Sequence, residues 1–286
     1  MKQSPKFLIF FLILFSQFIS SQSLLTLSEN DSSSVSASAF DIFKYDVKKG
    51  LTDGWDLVKA PAHFTGQNWI TAGAIAGGTA LSMLLDNNIR NVVRRNRTKT
   101  LDDATKIGQY YGEVIPAVSL SAGIYAGGLI FKDRSVSLTG RLLAESLLYA
   151  GTINILLKNL FSRSRPYKGN GNMDFGNYKF NNDYYSMPSG HTTVAFTLST
   201  VLAERINNIY ATIGLYTLAT FTAYQRIYSD NHWFSDTVLG AAIGIVISHA
   251  IVKMNESDPY ENKDPQISSE PLMFNSGYGI GFRFNF

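Results

Sequence analysis

Six apolar stretches recur between Trp69 and Val252 of this chain, and they constrain its fold more than any other feature. Trp69–Leu85 and Val114–Phe131 contain no charged residue, and Leu142–Leu157 contains one, Glu145. Thr192–Ala203, Ile209–Tyr224 and Thr237–Val252 complete the set. The alternation of a half-buried strand is nearly absent from them, so they predict an all-α bundle of about six core helices. Gly73 with Gly77, and Gly240 with Gly244, sit four apart and would permit close helix contact. None of the stretches exceeds 18 residues, short of the ~20 that a membrane span prefers. The expectation is a bundle in contact with a membrane, its manner of contact left open.

Around this core the chain changes character three times. Lys2 and Lys6 precede the apolar run Phe7 to Phe15, followed by mostly small and polar residues to Ser23. That is the anatomy of an export signal, read as residues 1–22, and it places the protein in a cell envelope, periplasmic if the source is bacterial. Residues 23–66 form a Ser-rich linker and then an amphipathic helix, whose stripe is Phe40, Phe43, Val47, Leu51, Trp55 and Val58. That stripe would lie on a membrane or, the favoured reading, pack onto the main domain. The domain itself is read as residues 67–254. In the tail, residues 255–286, Tyr278, Ile280, Phe282, Phe284 and Phe286 alternate with Gly279, Gly281, Arg283 and Asn285, a period-two strand expected to dock as a short extended tail.

Composition removes several functions. No cysteine occurs, which excludes disulfide scaffolds, thiol catalysis and thiolate metal sites. With 25 basic against 22 acidic residues and only 16% charged, the chain does not resemble a nucleic-acid binder.

Three short motifs carry chemistry. In Lys158-Asn-Leu-Phe-Ser-Arg-Ser-Arg165-Pro166 the two outer cations are two helical turns apart if the helix persists to Pro166. Arg163, two residues before Arg165, would then point elsewhere. Pro188-Ser189-Gly190-His191-Thr192 predicts a tight turn at a helix start, where backbone N–H groups approach an anion and His191 can move a proton. In Arg226-Ile-Tyr-Ser-Asp-Asn-His232-Trp-Phe-Ser-Asp236, His232 and Asp236 lie one helical turn apart, close enough for the carboxylate to fix the imidazole tautomer. Each motif alone has an ordinary structural reading: a solvated helix end, a polar turn, a His–Asp cap. Together and in this order they point to an anion site. His63 and His249 lie outside the motifs and read as structural; Tyr110, Tyr111, Tyr184, Tyr185 and Trp233 read as packing rather than a substrate groove. The polar segment Tyr167–Met187 joins the first two motifs and reads as a selectivity loop.

Lys-x6-Arg-Pro, Pro-Ser-Gly-His and Arg-x5-His-x3-Asp closely resemble the signature of the type 2 phosphatidic acid phosphatase superfamily, which also holds bacterial class A acid phosphatases and vanadium haloperoxidases. One position departs: Gln225 stands where the family usually carries Ser, and its amide is expected to donate to a phosphate oxygen. The resemblance implies a phosphohydrolase that needs no metal or other cofactor and acts through a phosphohistidine. By that analogy His232 attacks phosphorus, Asp236 orients it and His191 protonates the leaving oxygen. Lys158, Arg165, Arg226, Ser189 and Gly190 would hold the phosphate oxygens. The implied substrate is a lipid phosphate or diphosphate, with the membrane as partner and no nucleic acid. A secreted acid phosphatase on small soluble esters, a vanadate-dependent haloperoxidase and a non-catalytic phosphate-binding envelope protein are the alternatives.

Overall fold

A computed structural model of the chain describes residues 38–176, 181–261, 266–274 and 277–285, the last two segments as backbone only. The expected export signal and most of the Ser-rich linker lie outside the described residues.

The described part is helical, with one hairpin at its end. The helices are α1 (Ala39–Lys59), α2 (Gly66–Ser82), α3 (Asp86–Arg95), α4 (Lys99–Tyr111), α5 (Val114–Ile130), α6 (Arg134–Phe161), α7 (Gly190–Ile206), α8 (Ile209–Tyr228) and α9 (Phe234–Met254). All six apolar stretches fall on helices, namely α2 with the short 3₁₀ turn after it, α5, α6, α7, α8 and α9. Side-chain caps set several starts: Thr65 accepts from the Asn68 N–H, Thr98 from Leu101, Asp133 from Val136, and Asn208 from Tyr210 and Ala211. Each cap satisfies donors that the helix itself leaves orphaned.

Helices continue past the apolar stretches into polar residues, and this changes the membrane argument. Gly66–Arg95, which takes in α2 and α3, and Phe234–Met254 are long and apolar enough to cross a membrane. They mark the chain as a membrane protein.

The two glycine pairs behave differently. A Cβ on Gly240 would lie 2.6 Å from the Ser189 carbonyl, and one on Gly244 would lie 2.7 Å from that of Thr193. Only glycine lets α9 approach the start of α7 so closely. Gly73 and Gly77 face open space, so the contact their spacing permits does not form among the described residues.

The helix α1 packs onto the bundle, but with the opposite face to the one its pattern suggests. Its apolar stripe, Phe40, Phe43, Val47, Leu51, Trp55 and Val58, is exposed, while Asp46 and Asp53 are buried. Asp46 accepts two hydrogen bonds from Arg134 at 2.7 and 2.9 Å, one from Arg141 at 3.2 Å and one from the Tyr125 hydroxyl at 2.8 Å. Asp53 accepts from the Asn255 amide at 2.8 Å and pairs with Lys49. Arg134 also forks onto Asp258 at 2.6 and 3.0 Å. The polar face turns inward because buried guanidinium groups await it.

At the C-terminus, β1 (Gln266–Phe274) and β2 (Gly277–Asn285) pair antiparallel, with Gln266 opposite Asn285 and Phe274 opposite Gly277. The single strand read from the sequence therefore has a partner. That partner carries Pro271 and lacks strict alternation, so it left no clear pattern of its own.

Candidate active site

The three motifs meet where α6 and α8 end and α7 and α9 begin. The first motif departs from its expected geometry. The helix stops at Phe161, Ser162 takes a left-handed conformation (φ +41°), and Arg163–Arg165 run on as extended chain. Ser164 N–H donates to the Asp174 carbonyl at 2.9 Å, and Gly176 N–H to that of Ser162 at 2.8 Å. Lys158 and Arg165 therefore do not share a helix face. Lys158 reaches the site from the last turn of α6, and Arg165 from the loop after it.

The Lys158 ammonium donates to the carbonyls of Tyr185 and Pro188 at 2.8 and 2.6 Å. Its ε-carbon lies 3.8 Å from where a Cβ on Gly190 would stand, which puts the cation against the turn of the second motif. Arg165 donates to the Asn182 carbonyl at 2.7 Å and the Asn231 amide oxygen at 3.3 Å. Arg226, buried in the last turn of α8, gives one Nη1 hydrogen bond to the Gln225 amide oxygen at 3.1 Å, and its buried Nε has no partner. The Gln225 amide oxygen thus holds one end of the Arg226 guanidinium.

The second motif forms the first turn of α7. Ser189 stands at its N-cap position without a side-chain cap bond: its N–H donates to the Asp236 carbonyl at 2.9 Å, and its hydroxyl oxygen accepts from the Thr192 hydroxyl at 2.9 Å, which leaves its own proton to give. Gly190 and His191 follow as the first two helical residues, where N–H groups have no partner within the helix.

In the third motif His232 is buried between α8 and α9. Its Nδ1 lies 2.6 Å from the Ser186 carbonyl and 3.8 Å from Asp236 Oδ2. A carbonyl only accepts, so Nδ1 carries the proton and Nε2 keeps its lone pair. Asp236 accepts from the Trp233 N–H at 2.7 Å, from Arg163 Nη1 at 2.7 Å and from the Ser186 hydroxyl. The expected His–Asp contact is thus a neighbour relation, and the direct partner of the imidazole is a backbone carbonyl.

Charge dominates this region. Burial, with Arg165 and Arg226 close by, pulls the Lys158 ammonium down to about 7. Burial and the cations Arg226, Lys158 and Arg165 hold His191 down at about 3 and His232 well below the ordinary imidazole range. Both shifts favour the neutral imidazole, and the cations that cause them make the surroundings of both rings positive. Such a place suits a dianion, which would neutralise the cations and restore basicity to both rings.

Sequence reasoning missed four contributors: Arg163, Asp86, Ser186 and Ser235. All are buried and all touch the Asp236 neighbourhood. Among the other candidates, Tyr111 and Trp233 are buried packing residues, with hydrogen bonds to Ser199 at 2.8 Å and to the Ser164 carbonyl at 3.0 Å. His63 is exposed, and His249, also exposed, pairs with Glu204 at 2.9 Å. Residues 177–180 of the expected selectivity loop lie outside the described residues.

Two histidines and three cations, Arg226 buried and Lys158 and Arg165 half-buried, thus lie near one another in an all-α bundle, an arrangement suited to an anion. Residues 139–258 match the PAP2 superfamily. Over 178 residues the chain is 31% identical to the lipid A 1-phosphatase of Porphyromonas gingivalis, covering 60% of this chain and 35% of the relative. Over 119 residues it is 25% identical to the lipid A 4'-phosphatase of the same organism, covering 41% of this chain and 50% of the relative. The chain therefore spans between about a third and a half of the curated relatives it matches. A crystal structure of Aquifex aeolicus LpxE aligns with 59% of this chain and 95% of its own, at 25% identity and a TM-score of 0.48.

Proposed function

We propose that the protein is a phosphatase of the cell envelope that hydrolyses a lipid phosphate or diphosphate through a phosphohistidine, without a metal. The observation that carries the reading is the contact of His232 Nδ1 with the Ser186 carbonyl at 2.6 Å: it commits Nδ1–H to that carbonyl and leaves Nε2 as the nucleophilic nitrogen. Lys158, Arg165 and Arg226, with the Ser189 hydroxyl and the first N–H groups of α7, hold the non-bridging oxygens where charge spreads in the transition state. Nε2 attacks phosphorus, the bond to the leaving oxygen breaks, and His191 supplies that oxygen's proton. Water then attacks phosphorus and gives a proton back to His191, the phosphorus–nitrogen bond breaks and inorganic phosphate departs. Bound dianion raises His191 from its depressed value, so the acid is protonated when it is needed.

Relatives named for lipid A phosphates, and apolar helices beside the site, support a lipid substrate. The basic and apolar opening of the sequence supports export. The test is phosphate release in detergent with excess chelator, from a lipid phosphate and from a small aryl phosphate, comparing wild type with His232→Ala. Release that survives chelation, prefers the lipid and vanishes in the variant is expected. Release abolished by chelator, or unchanged in His232→Ala, overturns the mechanism.

A further inference from the structure

Arg163 is fully buried and lies at the centre of the group around Asp236. Its Nη1 donates to Asp236 Oδ1 and to the Ser235 hydroxyl, each at 2.7 Å, and its Nη2 donates to Asp86 Oδ2 at 2.7 Å. Its own carbonyl accepts from the Ser186 N–H at 3.1 Å. One residue thus touches both supports of His232: the carboxylate 3.8 Å from Nδ1 through its side chain, and the residue whose carbonyl receives Nδ1–H through its backbone. Asp86, from the first turn of α3, completes the arrangement. Its Oδ1 accepts from the Ser235 N–H at 2.9 Å and its Oδ2 from the Ser235 hydroxyl at 2.8 Å, so it caps α9 from a different helix. The ring of Trp233 lies beside the Arg163 guanidinium, 5.7 Å from centroid to Cζ.

We infer that Arg163, charge-balanced by Asp86, is a positioning residue that fixes Asp236 and Ser186 around His232. The inference rests on the reading of His232 as nucleophile. The arrangement has electrical as well as steric content. Asp86, Arg163 and Asp236 form a buried chain of alternating sign, and Arg163 moderates the negative charge that Asp236 presents to the imidazole. The other groups bearing on His232 are Lys158 from α6, Arg165 from the loop after it, His191 from α7 and Arg226 from α8; none of them is altered by the changes below.

Two substitutions of opposite sign separate positioning from mere structure. In Arg163→Met the Asp236 charge is no longer balanced, so the His232 imidazolium is favoured and the acidic limb of kcat/KM moves to higher pH. In Asp86→Asn the guanidinium loses its other anionic partner and bears more strongly on Asp236, so the limb moves to lower pH. Arg163→Lys restores the position of the limb but not the fork. We expect kcat to fall about 100-fold in Arg163→Met, the scale on which small misplacements of a catalytic group act, with KM changed less than about threefold. Because a lone buried charge can prevent folding, the double variant Arg163→Met with Asp86→Leu removes both charges together. It is expected to fold, to keep KM and to lose kcat as the single variant does.

If the folded variants keep wild-type kcat and an unmoved acidic limb, the positioning role is overturned and the cluster serves folding alone. His232→Ala in the same series keeps the two readings apart. An inactive His232→Ala beside fully active Arg163 and Asp86 variants sinks only the positioning role. An active His232→Ala sinks the nucleophile assignment itself.

Discussion

The bundle carries two buried collections of charge, one at each end of α6, and they are built on opposite rules. Near its start Arg134 and Arg141 meet acids: Asp46 and Asp258 against Arg134, and Asp46 against Arg141 at 3.2 Å with Glu145 4.0 Å away. Near its end Lys158, Arg165 and Arg226 converge, and none of them forms an ion pair among the described residues. They rest on backbone carbonyls and side-chain amides instead. Matched charge holds helices together, whereas unmatched buried charge of one sign holds a place for something that is not yet there. The matched end needs no ligand to be stable. The other bears a desolvation cost that only an anion offsets.

Breaking the matched end should cost stability and spare chemistry. Arg134→Met leaves Asp46 and Asp258 underpaired and is expected to lose roughly 3–5 kcal/mol, read as a large fall in Tm in detergent, with kcat of the folded fraction unchanged. Breaking the unmatched end should do the reverse. Arg226→Ala is expected to lower kcat/KM about 10²–10³-fold, as removal of one charge-stabilising donor does, while Tm holds or rises because a buried cation has gone. A rise in kcat/KM, or collapse of the fold, would remove the distinction drawn between the two ends.

A pH profile sharpens the comparison further. Lys158 lies at about 7 in the free protein, and only its protonated form attracts the dianion. As pH rises through that value the cation is lost, so kcat/KM should fall with a midpoint near 7, by about tenfold per pH unit beyond it. Bound substrate holds the proton on, so the same limb in kcat should lie at higher pH. Coincident limbs would mean that Lys158 does not meet the phosphate. The smallest effect belongs to Gly77→Ala, which points into open space and should change stability by less than about 1 kcal/mol, in the stabilising direction, without touching activity. Gly240→Ala is its counterpart: the Ser189 carbonyl stands 2.6 Å from the new Cβ, so both Tm and kcat should drop.

How far the sequence reveals this molecule depends on whether the deciding contact is local. The six helices were legible because each carries its own apolar signal, and the three motifs because residue types and spacing name the chemistry. Arg163 was not legible, since its direction turns on Ser162 leaving the helix one turn earlier than Pro166 requires, and Ser is an ordinary helix residue. Asp86 reads as one acid at a helix start; nothing near it in the chain announces Ser235 or Arg163. The orientation of α1 failed for a different reason. An amphipathic pattern identifies a face, but assigning that face to the interior assumes water on the other side, an assumption a membrane protein does not honour.

That reversed helix also bears on where the folding unit ends. Similarity to the PAP2 superfamily begins at residue 139, and the helix carrying Asp46 precedes it by most of a hundred residues. Trimming the chain to everything after Thr65 would retain every residue of the candidate site. It would also strip Arg134 and Arg141 of a shared carboxylate and open the side of the bundle that α1 covers. Ancestry and cooperative folding draw their borders here at different places, and the border that matters for making the protein in quantity is the one upstream of Asp46.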